Sequence, residues 1–159
     1  MRVITSDEII MSRLHIAQDF AKSASGCLKV SVGSVVFKND VLVALGANRA
    51  MPNLCRGTRG CLRIEKYGNN SKEHRNPSDC RAIHSEIDAI ATSSNLNGGI
   101  MYVTRYPCEA CARAIVSAGI QKVWYGREQV ISEETYNIFK ENHVEVHNFS
   151  SFKEDDVVE

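Results

Sequence analysis

This chain has neither long apolar runs nor a net charge, and its first residues do not show a leader-like pattern. No stretch stays apolar over the roughly 20 residues that a membrane-spanning helix needs. The first ten residues, MRVITSDEII, lack the charged-then-apolar order of a signal peptide. Basic and acidic residues number 19 each, which argues against a protein that holds a long nucleic acid through its phosphates. We therefore expect a cytoplasmic protein that binds neither a membrane nor a long nucleic acid.

Internal repeats and linker-like stretches are also absent, so we expect residues 1–159 to form a single domain. A chain of this length can bury a core without disulfide bonds. The six cysteines should stay reduced in the cytoplasm, and those that cluster are candidates for metal binding or catalysis. Cys108 and Cys111 cluster closely, whereas Cys55, Cys61 and Cys80 do so more loosely.

The apolar periodicity predicts alternating helices and strands. Residues from about 7 to 24 have helical spacing behind a possible N-cap at Ser6. KVSVGSVVF and VLVALGA, joined by the turn-like KND, predict an antiparallel hairpin. Further helices are predicted over about 82–95, in CEACARAIVSAG and in SEETYNIFKEN behind Ser132, with strands in IMYVT, QKVWYG and VEVHNF. This order predicts one mixed sheet with helices on both faces.

Residues from about 48 to 80 interrupt that pattern. They are polar, hold two of the three prolines and show no period. Loops of this length without a function are uncommon in a compact domain, so we expect this segment either to have a function or to be fixed in place by bonds to other groups. Residues 56 to 81 include seven basic and three acidic side chains, whereas the tail from about 150 is acidic. Both stretches are also compatible with an ordinary solvated surface.

Two pairs of polar residues open predicted helices. Cys108 and Cys111, in YPCEAC, stand three positions apart at a helix start, where the helix dipole favours thiolates. Two thiolates suit zinc, although a CxxC pair alone is compatible with a redox pair or with coincidence. His84 and Glu86, in AIHSEIDAI, alone would fit a partly exposed helix face.

Considered together, the two pairs favour a catalytic zinc site. His84, Cys108 and Cys111 would leave the fourth position of a tetrahedral zinc free for water. Glu86, near the start of the same helix as His84, could reach that water without binding the metal.

HSE followed by PCEAC resembles the H-x-E…P-C-x-x-C signature of zinc-dependent nucleobase deaminases. The resemblance implies that His84, Cys108 and Cys111 bind zinc, which activates a water, and that Glu86 shuttles protons to the base and the leaving ammonia. It extends over most of the chain to the deoxycytidylate (dCMP) deaminases, through VGSVVFKND, GANRAMPN, MYVTRYPCEACARAI and GIQKVWY. It implies an α/β fold, a three-layer α-β-α cytidine-deaminase-like arrangement around a central mixed five-stranded sheet.

The segment 48–80 resembles the cysteine-bearing insertion loop of this family. Cys55, Cys61, His74 and Cys80 are candidates for a second, structural zinc site that would hold the loop. Ordinary buried thiols and a surface histidine are the alternative.

Substrate contacts are expected at two further places. By the resemblance Asn48 would contact the sugar of a nucleotide, and Tyr106, next to the PCEAC turn, is a candidate to line the pocket. Arg49, Arg56 and Arg59 are candidates to bind the substrate's phosphate or a regulatory triphosphate, dCTP or dTTP.

Two of these positions depart from the family's pattern. Asp88 stands where the family usually has asparagine, and Arg49 stands where it has glycine. We count Asp88 among the candidate substrate-binding residues, because these departures leave substrate identity and feedback control open.

We therefore expect a zinc-dependent hydrolase that converts dCMP to dUMP and ammonia in pyrimidine deoxynucleotide metabolism. A modified dCMP, dCTP, or a base in tRNA or single-stranded DNA is the alternative substrate. A catalytically inactive, zinc-stabilised binding protein is the non-enzymatic alternative, and the retention of Glu86 argues against it. The resemblance also implies a homo-oligomer, either a dimer or a hexamer.

Overall fold

The computed structural model describes residues 2–51, 55, 60–68, 79–127 and 132–153. Its helices are α1 (Ser6–Ala24), α2 (Leu62–Tyr67), α3 (Ser85–Ala91), α4 (Glu109–Ser117) and α5 (Glu133–Glu141). Its strands are β1 (Gly33–Lys38), β2 (Val41–Ala47), β3 (Ile100–Arg105), β4 (Lys122–Arg127) and β5 (Glu145–Asn148). Within the described ranges, no helix combines the length and the apolar character needed to cross a membrane.

The strands form one sheet in the order β2-β1-β3-β4-β5. β1 pairs antiparallel with β2 and with β3, whereas β3 and β4, and β4 and β5, are parallel. The predicted hairpin is therefore confirmed, and it turns at Asn39 and Asp40, both of which have positive φ. Two-residue hairpin turns favour this left-handed backbone because it matches the twist of the strands.

Neighbouring residues of the central strands face two separate cores. Val36 and Val103 pack in the core cluster that contains residues of α3, α4 and α5. Val35 and Tyr102 pack against the other cluster, which contains Leu14 of α1. Because successive side chains of a strand point to opposite faces, the sheet is covered on both sides. The three-layer α-β-α arrangement is thus confirmed.

The start of α1 differs by one residue from the prediction. Thr5, rather than Ser6, is the N-cap, and its hydroxyl accepts from the Glu8 backbone N–H at 3.2 Å. The Glu8 carboxylate accepts in return from the Thr5 backbone N–H at 2.9 Å. This reciprocal capping box requires an acidic or amide side chain three residues after the cap, which Thr5 has and Ser6 lacks.

Helix α3 is shorter than the predicted 82–95. It starts at Ser85, because Ile83 instead forms an isolated bridge with Arg49. It ends at Ala91, where the Thr92 hydroxyl donates back to the Asp88 carbonyl at 2.8 Å. The Thr92 backbone N–H also donates to the Asp88 carbonyl, at 3.2 Å, so Thr92 is the C-cap and the helix ends before the predicted residue 95.

A close approach between β2 and α3 fixes where the start of α3 lies. A Cβ on Gly46 would lie 2.1 Å from the Ser85 carbonyl oxygen and 2.5 Å from the Ala89 backbone nitrogen. Only glycine allows two backbones to approach this closely. The residues that follow β2 are therefore held beside the first turn of α3.

Candidate active site

Three potential metal ligands converge where α3 and α4 begin. His84 is the N-cap of α3, Cys108 is the N-cap of α4, and Cys111 lies in the first turn of α4. The His84 Nδ1 atom lies 3.4 Å from the Sγ atom of Cys108 and 3.4 Å from that of Cys111. The three ligand atoms all lie within 4.8 Å of one another. The structure thus brings together the three residues that the sequence suggested.

Their distances fit the geometry of a zinc ion. Zinc–sulfur bonds of about 2.3 Å and zinc–nitrogen bonds of about 2.0 Å, at a tetrahedral angle, place nitrogen and sulfur about 3.5 Å apart. Both nitrogen–sulfur distances here are 3.4 Å. One imidazole and two thiols are also the soft and borderline donors that zinc prefers.

The charges in the cluster fit a cation as well. Hydrogen bonds with Cys108 and then with Cys80 raise the pKa of His84 to about 10. A hydrogen bond with Cys111 is the largest cause that lowers the pKa of Cys108 to about 4. The same contact, followed by burial, raises the pKa of Cys111. The protein's own groups therefore balance one thiolate with a protonated imidazole, a positive charge that a metal ion would replace.

Glu86 lies beside these ligands without belonging to the cluster. Its side chain is buried, with 4% of the residue exposed, and it lines the same pocket as His84 and Cys108. The Ser85 hydroxyl donates to its Oε2 at 3.1 Å, and the Ser85 Oγ atom lies 2.7 Å from the Ser34 Oγ atom. Burial raises the pKa of Glu86. A carboxyl group that binds a proton more readily than usual is suited to general acid–base work.

Asn48 and Tyr106 both line this pocket, as the sequence suggested. The Asn48 Oδ1 atom accepts from the Val32 backbone N–H at 2.8 Å, and its Nδ2 atom donates to the Val30 carbonyl at 2.9 Å. Asn48 therefore also supports the pocket wall. The Tyr106 ring packs edge-on against Tyr125, with 4.8 Å between ring centroids, so most of this side chain belongs to the core.

Arg49 and Asp88 lie outside the described lining of the pocket. Asp88 is buried, and both of its carboxylate oxygens accept from the Arg49 Nε atom at 3.0 Å. The structure thus pairs these two predicted substrate contacts with each other. Arg56 and Arg59, the other predicted phosphate ligands, lie outside the described residues.

Three cationic residues that sequence reasoning did not select line the pocket instead: Lys29, Arg63 and Arg105. The Arg63 Nε atom is buried and has no hydrogen-bond partner within the described part of the chain. Arg105 directly precedes Tyr106 and could have been found from that proximity. Lys29 and Arg63 carried no such signal, because the position of Lys29 depends on how an irregular segment packs and that of Arg63 on how the short helix α2 packs.

The predicted second zinc site is not formed by the described residues. Cys61 and Cys80 line the pocket beside His84, and Cys80 hydrogen-bonds the His84 side chain, which lowers the pKa of Cys80. In the described ranges, His84, Cys108 and Cys111 are the group of three potential ligands that comes together. Cys55 does not join that group, and His74 lies outside the described residues. A structural zinc held by this loop stays a prediction.

Comparison with known proteins links this geometry to one family. The family model for the cytidine and deoxycytidylate deaminase zinc-binding region matches residues 7–127. That range contains His84, Glu86, Cys108 and Cys111, together with the pocket that they line.

Individual relatives agree with the family match. ComE operon protein 2 of Bacillus subtilis is 26% identical over 92% of this chain and 72% of its own length. The deoxycytidylate deaminase of Enterobacteria phage T4 is 41% identical over 64% of this chain and 69% of the phage protein. This chain also resembles the crystal structure of the dCMP deaminase of cyanophage S-TIM5 in complex with dCMP and dUMP. The match has a TM-score of 0.67 and 26% sequence identity, and it covers 91% of this chain and 99% of the cyanophage chain.

Proposed function

The chain belongs to the cytidine and deoxycytidylate deaminase zinc-binding family, and from this premise we propose that it hydrolyses dCMP to dUMP and ammonia. One observation carries the proposal. A buried glutamate that is not a metal ligand, Glu86, lies in the pocket beside a His-Cys-Cys donor set. Zinc held for structure alone is usually enclosed by four protein ligands and needs no such carboxylate.

His84, Cys108 and Cys111 are the proposed zinc ligands. When bound, zinc lowers the pKa of a water molecule toward neutrality and so supplies a nucleophile. Cys80, which hydrogen-bonds the His84 side chain, helps to orient that ligand.

Glu86 is the proposed proton carrier. Hydrolytic deamination requires a proton to leave the attacking water and protons to reach the ring nitrogen and the departing amine. The Glu86 carboxyl group can make these transfers because burial raises its pKa, and because the Ser85 hydroxyl fixes its orientation. Its position outside the ligand cluster leaves it free to move protons.

The cations of the pocket favour a nucleotide over a nucleoside. Lys29, Arg63 and Arg105 line the same pocket as Glu86. A guanidinium group matches two phosphate oxygens at once. We assign the phosphate to Arg63 first, because its buried Nε atom lacks an acceptor among the described residues, and an unpaired buried donor is costly.

From the family resemblance we also propose that the protein forms a homo-oligomer, either a dimer or a hexamer, and that dCTP or dTTP controls it. From the sequence pattern we propose that it is cytoplasmic.

The test is ammonia release by zinc-loaded protein from dCMP, CMP, dCTP and deoxycytidine. We expect dCMP to have the highest kcat/KM. Arg63→Gln should raise KM for dCMP about ten- to hundredfold, the value of one or two charged hydrogen bonds, and leave the slow reaction of deoxycytidine unchanged. Arg81→Gln is the matched control, since the Arg81 Nε atom is likewise buried without a hydrogen-bond partner among the described residues, although its Nη2 atom pairs with Glu65, and Arg81 is not among the residues that line the pocket. Failure to release ammonia from any cytosine nucleotide would refute the proposed function.

A further inference from the structure

Asp88 is a buried charged group that the proposed chemistry does not use. It lies in α3, and 7% of the residue is exposed. Its Oδ2 atom accepts from the Ala47 backbone N–H at 3.0 Å, and both oxygens accept from the Arg49 Nε atom at 3.0 Å. A carboxylate in such surroundings requires these partners, because an unpaired buried charge is strongly unfavourable.

The partners of Asp88 flank Asn48 on both sides. Ala47 precedes Asn48 and Arg49 follows it. The Asp88 carboxylate therefore binds the backbone N–H of the residue before Asn48 and the side chain of the residue after it. Arg49 is joined in turn to the residue before His84. The Arg49 backbone N–H donates to the Ile83 carbonyl at 2.9 Å, and the Ile83 N–H donates to the Arg49 carbonyl at 3.0 Å.

Asn48 transmits this constraint to the opposite wall of the pocket. Its Oδ1 atom accepts from the Val32 N–H at 2.8 Å and lies 2.6 Å from the Ser25 hydroxyl, while its Nδ2 atom donates to the Val30 carbonyl. The segment 25–32 held in this way includes Lys29, a cation of the pocket. A shift of Asn48 would therefore move this wall relative to His84.

We propose that Asp88 and Arg49 act as a pair of positioning residues that fix Asn48, and through it the wall 25–32, against the metal ligand His84. The pair is called the clamp below. Its role in substrate binding rests on the proposed function, because Asn48 and Lys29 are taken to contact the nucleotide.

The clamp accounts for two of the positions at which this chain departs from the family's pattern. An asparagine at position 88 would need no cation, and a glycine at position 49 would provide none. Asp88 is buried and requires a cation, which Arg49 supplies through an Nε atom directed at both carboxylate oxygens. Because the Arg49 side chain is 44% exposed, it is the carboxylate that depends on the pair.

A double-mutant cycle tests the clamp, with Asp88→Asn, Arg49→Gln and the double variant. Each single change should raise KM for dCMP about five- to tenfold, within the range of coupling between contacting residues, and change kcat less than about twofold. In the double variant, KM for dCMP should be no higher than in the single variant with the higher KM, because no charge is left unpaired. Zinc content should stay equal to that of the unchanged protein, and Asp19→Asn, at an exposed position of α1, is the control for lost charge.

A readout that needs no turnover separates the clamp from the proposed function. Amide exchange over 25–32 should be faster in both single variants and close to normal in the double variant. Two outcomes would overturn the clamp. One is a lower melting temperature in the single variants with unchanged KM and unchanged exchange over 25–32. The other is a KM increase in the double variant equal to the product of the two single increases. An unchanged protein that releases no ammonia from dCMP would overturn the proposed function, and the exchange measurement would still decide on the clamp. If Arg49→Gln does not fold, Arg49→Lys keeps the charge but loses the Nε contact, and it should show the same KM and exchange changes at smaller size.

Discussion

Glu86 is the residue on which the proposed chemistry depends most. Glu86→Gln keeps the volume of the side chain and its contact with Ser85, but it removes the exchangeable carboxyl proton. We expect zinc content to be unchanged and kcat to fall about a hundred- to ten-thousandfold, the usual contribution of a positioned acid–base group. Metal analysis and steady-state ammonia release on the same preparation provide the measurement.

Two further variants serve as controls for the Glu86→Gln measurement. Cys108→Ala removes a proposed ligand and should lose both zinc and turnover. Glu109→Gln changes the half-exposed carboxylate that follows Cys108 and accepts from the Ser132 hydroxyl, so it should keep both. Equal loss of zinc in Glu86→Gln and Cys108→Ala would make Glu86 a ligand and would exclude it as the proton carrier.

The residue scale also shows what a sequence can indicate about a site. Cys108 and Cys111 could be paired from their spacing at one helix start, whereas His84, at the start of another helix, could be added because the HSE and PCEAC motifs occur in that order. Arg63 could not be placed, because its direction depends on how a short helix packs against distant residues. Asp88 was identified as unusual, but its partner Arg49 became clear only when β2 and α3 were seen side by side.

At the scale of elements, a buried carboxylate outside α2 anchors the C-terminal end of that helix. This helix has six residues and buries none of them, and isolated helices of that length are unstable in water. Asp79 holds it, since its oxygens accept from the Lys66 ammonium at 2.5 Å and from the Tyr67 hydroxyl at 2.6 Å. The hydrogen bond with Lys66, and then that with Tyr67, lowers the pKa of Asp79, so the carboxylate stays ionised at neutral pH.

We therefore expect Asp79→Ala to release α2 and, with it, Cys61 and Arg63 from the pocket. Amide exchange over 61–67 should become several-fold faster, while exchange in β3 stays unchanged. KM for dCMP should rise because Arg63 leaves. Glu65→Gln is the control, since Glu65 lies on the same helix and its largely exposed carboxylate pairs at 3.6 Å with Arg81, which lies outside the helix; such pairs contribute little. Equal exchange over 61–67 in the two variants would show that α2 is held by other contacts.

The sequence predicted which segments form helices better than it predicted the residues at which those helices begin and end. The hairpin and the Ser132 cap of α5 followed from local chemistry and are confirmed. The end of α3 did not follow, because the chain leaves the helical conformation at the C-cap Thr92, before the predicted residue 95. Where a helix ends depends on tertiary packing as well as on local propensity, and sequence spacing does not specify that packing.

At the scale of the whole molecule, the order of a hairpin followed by βαβ units was sufficient to predict the mixed sheet and its helical layers. Right-handed crossovers and sequential pairing leave few other arrangements. The same topology brings the starts of α3 and α4 together, although 24 residues separate His84 from Cys108. A metal held by His84, Cys108 and Cys111 would therefore join two helices that the chain itself connects through β3.

Zinc should consequently stabilise the fold as well as serve the reaction. Free zinc at about 1,000 times its dissociation constant contributes about 4 kcal/mol to the folded state, which for a chain of 159 residues corresponds to about 8–16 °C in Tm. Chelation should lower Tm by this amount, and zinc should restore it. The Cys108→Ser/Cys111→Ser variant should start at the lower Tm and respond to neither treatment. If chelation still destabilised that variant, a second metal site would be required, and the loop residues Cys55, Cys61, His74 and Cys80 would be its first candidates.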